Sequence, residues 1–125
     1  MFYLNTPTVR ELEVWSSMPD TFRRTGVRSV WADANKGGEP ADSFLEGPVF
    51  DDAGNLYVTD IPFGRIFKID PQGTWSLVFE YDGEPNGMKF WSGHELLITD
   101  YKNGLMLLNL QTQSIAPFLA RRNTE

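Results

Sequence analysis

From residue 46 onward the chain alternates short apolar runs with turn chemistry. Residues 55–60, 65–69, 75–79, 96–99, 105–110 and 114–118 are rich in β-branched, aromatic or leucine side chains, which suit a pleated, half-buried surface. Between them stand Asp52-Ala-Gly-Asn55, Pro62-Phe-Gly64, Asp70-Pro-Gln-Gly73, Trp91-Ser-Gly93 and Tyr101-Lys-Asn-Gly104. Such segments supply the positive φ values and side-chain-to-backbone bonds that tight turns require. The pattern predicts a meander of antiparallel strands. No segment carries helix start and stop signals together, and residues 8–14 fit helix and strand equally weakly. Residues 11–15, Glu-Leu-Glu-Val-Trp, alternate polar with apolar and are expected to form an edge strand. Residues 32–44, polar and containing Gly and Pro, are expected to be an ordered loop or linker.

The strand pattern repeats. Residues 46–67 align without a gap on the residues 40 positions later, pairing Gly47 with Gly87, Phe50 with Phe90, Leu56 with Leu96, Thr59-Asp60 with Thr99-Asp100 and Gly64 with Gly104. A period of about 40 residues is what one four-stranded propeller blade occupies. The expected fold class is therefore all-β: a partial β-propeller with residues 1–45 as N-terminal strand and lead-in, 46–84 as blade one and 85–125 as blade two. A closed propeller needs at least about four blades. The remaining blades are expected outside this chain, with the N-terminal strand completing the last one and so removing a free edge. The one chemically interesting column of the repeat holds Glu46 and Asn86.

Composition narrows the function. At 125 residues, 41% hydrophobic and 14% aromatic, the chain is long and apolar enough for one packed domain. A net charge of −6 offers no basic face, which argues against nucleic-acid and anionic-membrane partners. The absence of cysteine rules out a disulfide framework or thiolate chemistry and fits a reducing, cytoplasmic setting. No charged n-region with an apolar stretch opens the chain, and no apolar run approaches the ~20 residues of a bilayer span.

Ser43-Phe-Leu-Glu-Gly-Pro-Val-Phe-Asp51, Gly54-Asn-Leu-Tyr-Val-Thr-Asp60, Gly83-Glu-Pro-Asn-Gly-Met88 and Leu97-Ile-Thr-Asp-Tyr101 with Asn103-Gly104 resemble the senescence marker protein/gluconolactonase/luciferin-regenerating enzyme family over residues 13–125. The Leu-Glu-Gly-Pro motif carries most of the specificity, because the Gly-hydrophobic-Asp pieces occur in many propellers. The resemblance implies a six-bladed propeller with one divalent cation in its central channel, Ca²⁺ foremost and Zn²⁺, Mg²⁺ or Mn²⁺ as alternatives, and hydrolysis of lactones or related esters. It implies that Glu46 is a metal ligand. The next ligand, an Asn of an Asn-Asp motif, would follow Glu125, and the remaining ligands and the catalytic acid–base group would lie later still, so no catalytic residue is assignable here. The chain alone is expected to be inactive and to self-associate.

Each residue also has a plainer role. Glu46 could cap backbone N–H groups beside Gly47-Pro48, and Asn86 before Gly87 is a common turn dipeptide as well as a channel-facing candidate. Hard cations take ~6–8 oxygen ligands, so one carboxylate and one amide would hold such an ion only weakly. Asp60 and Asp100 recur at strand ends, which points to fixing turns rather than to acid–base work. His94, the single histidine, is expected to be a solvent-exposed turn residue, Trp31, Trp75 and Trp91 to be inter-blade packing, and Arg121-Arg122 to be solvated terminal charge.

Two functions compete: a metal-dependent lactonase or esterase-like hydrolase, and a non-catalytic propeller module whose channel is inert. Glu46 discriminates in part, since an inert channel has no need of an oxygen ligand there. Closure of a ring by several copies of this chain is a third arrangement, in which identical Glu46/Asn86 sets would replace an asymmetric site.

Overall fold

A computed structural model describes residues 4–118, and the Arg121-Arg122 pair lies outside them. The chain forms two four-stranded antiparallel sheets in sequence order, with little helix. The first contains β1 (Leu45–Phe50), β2 (Leu56–Asp60), β3 (Arg65–Ile69) and β4 (Trp75–Glu80). The second contains β5 (Pro85–Ser92), β6 (Glu95–Asp100), β7 (Gly104–Asn109) and β8 (Ser114–Pro117). The six strands expected between residues 55 and 118 are present, and β1 and β5 add a leading strand to each sheet.

The sheets stack on a shared core. Tyr57 and Ile66 of the first sheet meet Leu96, Ile98, Met106 and Leu108 of the second, all six buried. The Tyr57 and Phe90 rings stand edge to face at 5.3 Å, the geometry that aromatic quadrupoles favour. The opposite face of the first sheet carries Val58, Phe67 and Ile69, covered by Met18 and Phe22. Equivalent positions in the two sheets therefore do not face each other. Leu56 and Val58 point away from the second sheet, whereas Leu96 and Ile98, 40 residues on, point towards the first. Such a head-to-tail relation continues in one rotational sense, unlike the face-to-face relation of a two-fold pair. On the far face of the second sheet Leu97, Leu105 and Leu107 stay half-buried and belong to none of the core clusters of the described residues, and Trp91 is exposed.

The 40-residue offset breaks at the third strand. Asp60 pairs with Arg65, but Asp100 pairs with Gly104. The first hairpin holds a 3₁₀ turn, Ile61–Phe63, closed by Gly64 in the left-handed region, while Gly104 already belongs to β7. Gly64 and Gly104 are thus aligned in sequence but not equivalent in the ladder, and Met106 takes the place of Phe67, both standing across from the paired Ile98 and Val58.

The N-terminal region departs from expectation in two ways. Residues 11–15 form no strand, and Leu12, Val14 and Trp15 are exposed: an edge strand needs a ladder partner, and no described strand lies beside it. Residues 16–22 cover the first sheet instead. Ser16 Oγ accepts from Trp75 Nε1 at 2.8 Å and donates to Gly73 O at 2.9 Å, and Arg65 Nη1 donates to Phe22 O at 2.7 Å. The start of the stretch expected to be loop or linker, residues 32–44, is instead part of a short helix, α1 (Val30–Asn35). Ser29 Oγ caps it by accepting from Ala32 N at 3.1 Å. Burial of Trp31 and Ala32 against Ile61 and Phe44 stabilises it.

Candidate functional site

Both sheets begin with a proline and a bulge, and these set the site. In β1 the ladder runs Leu45↔Asp60 and Glu46↔Thr59, then slips before Val49↔Tyr57. Pro48 lies in the slip, one of the places open to a residue without an N–H in an edge strand. In β5 the proline comes first, so Pro85↔Asp100 is followed directly by the slip and Gly87↔Thr99. Glu46 is therefore a ladder residue opposite Thr59, whereas Asn86 falls in the bulge; the two share a place at the start of a leading strand but not a pairing.

The two leading strands meet at these residues. Gly47 has φ +59°, and a Cβ added there would lie 2.6 Å from Asn86 O, 3.1 Å from Gly87 Cα and 3.2 Å from Met88 N. Thr59 Oγ1 donates to Asn86 O at 3.3 Å. The structure thus brings the backbones of Glu46-Gly47 and Asn86-Gly87 side by side. The Glu46 side chain is exposed and makes no hydrogen bond or ion pair with any described residue, so it does not cap the neighbouring backbone. Asn86 Nδ2 donates to Tyr101 Oη at 3.0 Å, which leaves Oδ1 as its unbonded side-chain atom.

This donor set does not by itself fit a hard dication. One exposed carboxylate and one amide oxygen are far short of ~6–8 ligands. Among the described residues no three His, Asp or Glu side chains converge.

The other singled-out residues have local roles. Asp60 and Asp100 each bind back to the start of their own sheet: Asp60 Oδ1 accepts from Phe44 N at 2.8 Å, and Asp100 Oδ1 accepts from Glu84 N at 3.0 Å. Asp100 also accepts from Lys102 N at 2.7 Å and Asn103 N at 3.0 Å, fixing the following turn. Asp60 differs, because its second oxygen accepts from Arg65 Nε at 2.8 Å in a buried ion pair. Burial alone would raise the Asp100 carboxyl, but hydrogen bonds from Tyr81 and from the Glu84, Asn103 and Lys102 amides outweigh it and hold the group below its ordinary value. The Tyr81 phenol, 2.6 Å from Asp100 Oδ2, is pushed far upward by burial and by that carboxylate.

His94 is half-buried in the β5–β6 turn, where its carbonyl accepts from Leu110 N at 2.8 Å. Trp31, Trp75 and Trp91 all lie outside the core between the sheets. Trp31 packs α1 on Phe44, Trp75 stacks on Phe67 of its own sheet, and Trp91 stands exposed beside Phe118. Tyr81 and Arg65 carry no sequence motif that marks them, and Tyr101, which ends the Leu-Ile-Thr-Asp-Tyr segment, was read only as part of a turn; their roles arise once strand ends are brought together. No helix among the described residues is long and apolar enough to cross a membrane.

Compared with protein-family models, curated proteins and solved structures, the chain matches none.

Proposed function

We propose that the two sheets are successive blades of a β-propeller of the gluconolactonase type, and that Glu46 is one ligand of a divalent cation, Ca²⁺ foremost, in a channel that admits a lactone or related ester. The observation that carries this reading is the head-to-tail relation of the sheets, with β1 and β5 touching at Gly47 and Asn86. Repetition of that relation brings successive leading strands around one axis, where Glu46, free of any local bond, would share a cation with donors from other blades. The Leu-Glu-Gly-Pro motif supports it from sequence. Since the described residues hold only part of a ligand set, the chain alone is expected to turn over no lactone, and no step is assigned to its residues. The cysteine-free composition favours the cytoplasm.

A non-catalytic propeller module is the second reading, favoured by Glu46 being a lone carboxylate beside an amide, with no cluster of three His, Asp or Glu side chains among the described residues. Calcium titration followed by backbone amide NMR separates the two. Weak, saturable shifts should centre on residues 45–47 and 86–87 and vanish in Glu46→Gln, which keeps size and one oxygen but removes the charge a hard cation rewards. Shifts confined to other residues, or unchanged in Glu46→Gln, would refute the ligand role.

A further inference from the structure

Helix α1 stands over the ends of both sheets and leaves a cleft. A cavity of about 450 Å³ opens between α1 and the loops at 61–63 and 82–84, and one of about 220 Å³ adjoins it; Val30, Trp31 and Glu84 line both. The larger volume lies within the range of small-molecule sites. Its apolar lining comes from the exposed Val27 and Val30, the half-buried Phe63 and the buried Trp31.

The charges around this lining are unequal in their partners. Lys102 Nζ is 2.6 Å from Asp82, and Arg28 Nη2 is 3.0 Å from Asp33. Both cations at the rim are thereby matched. Glu84 is the exception: its backbone N–H is bound to Asp100, but its carboxylate makes no hydrogen bond or ion pair with any described residue. An apolar lining beside a carboxylate that makes no ion pair with a described residue complements a cation attached to an apolar body, and the cations a ligand must displace there are Lys102, which feels the Glu84 charge, and Lys36, whose Nζ stands 5.8 Å from the Trp31 ring centroid.

We propose that this cleft binds a small organic cation, an ammonium group carried on an aromatic or branched apolar body, with the ammonium on Glu84 and the body on Val30 and Trp31. The site is separate from Glu46 and needs no metal. The proposal stands whether or not the channel is catalytic.

The test is titration of the full chain with phenethylammonium chloride in the presence of EDTA, following the Trp31 indole N–H by NMR, with 2-phenylethanol as the neutral isostere. The ammonium should shift that resonance saturably and bind more tightly than the alcohol. Glu84→Gln, which keeps the backbone bond to Asp100, should weaken the ammonium roughly tenfold, the loss of one charge-assisted contact, and leave the alcohol unchanged. Val30→Lys, which places an ammonium in the cleft, should abolish ammonium binding, and it decides the matter if Glu84→Gln loses its dispersed spectrum. No saturable shift at Trp31, equal affinity for ammonium and alcohol, or ammonium binding unaltered in a folded variant would overturn the proposal.

Discussion

Replacing Gly47 by alanine tests the contact that joins the two sheets. The residue has φ +59°, where an L side chain costs about 1–2 kcal/mol. Part of this is offset, because alanine narrows the unfolded ensemble by about 0.4–1 kcal/mol relative to glycine. Gly104 isolates that conformational contribution: it has φ +83° and nothing within 4 Å of an added Cβ. Gly104→Ala should therefore cost no more than about 1.6 kcal/mol. At Gly47 the new methyl meets backbone, at 2.6 Å from Asn86 O. It can be relieved only by moving β5, which is held through Gly87↔Thr99 and Met88↔Ile98, or by moving β1. Overpacking of this kind adds about 1–3 kcal/mol, so Gly47→Ala should cost about 1–3 kcal/mol more than Gly104→Ala. Urea denaturation followed by tryptophan fluorescence reads both variants as midpoint shifts at constant slope. If the two alanines cost the same, the leading strands do not meet at Asn86, and the axis argument for Glu46 fails with them.

Two further outcomes follow from the hydrogen-bond and burial patterns. Asp100→Asn should destabilise by about 2 kcal/mol at neutral pH, because a charged acceptor of several bonds is replaced by a neutral one. Since the folded carboxyl titrates below its ordinary value of 3.8, its contribution is fully present above that value and is lost as pH falls through the lower folded one. The gap between wild type and variant should thus close in acid, and a gap that widens below pH ~4 would contradict the assignment. The half-buried Leu97, Leu105 and Leu107 on the second sheet's far face should drive copies of the chain to associate. Sedimentation velocity should show concentration-dependent oligomers for the wild type and a monomer for Leu107→Glu, and a wild type that stays monomeric would remove the argument.

The strands were legible because their cause is local. Alternation, β-branched and aromatic enrichment and turn dipeptides act within a few residues, and they mark β2, β3, β4, β6, β7 and β8 to within a residue or two. Helix α1 was not legible, since its six residues are too few to display a period. Its signals were a capping Ser29 and an acidic Asp33 in the first turn, weak until burial of Trp31 adds to them. Residues 11–15 have a strand's alternation but no ladder partner among the described strands, and alternation cannot supply one. Their apolar side chains stay in solvent while Met18 and Phe22, which show no strand pattern, cover the first sheet.

The repeat was legible in its residues and misleading in its register, and this bears directly on the site. An ungapped match places Glu46 and Asn86 in one column, yet the ladder gives Thr59 to Glu46 and Thr99 to Gly87. The slips follow the position of a residue without a donor: Pro48 sits in the slip after Glu46, whereas Pro85 opens its strand and the slip falls on Asn86. A bulge turns its extra residue out of the ladder. Asn86 is therefore free to present its carbonyl to Thr59 and its amide to Tyr101, and it joins the sheets instead of repeating the role of Glu46. If the axial position binds a cation, the asymmetry between a ladder carboxylate and a bulged amide means that successive blades contribute different atoms. On the proposed propeller reading, this repeat would therefore not give a ring of identical donors.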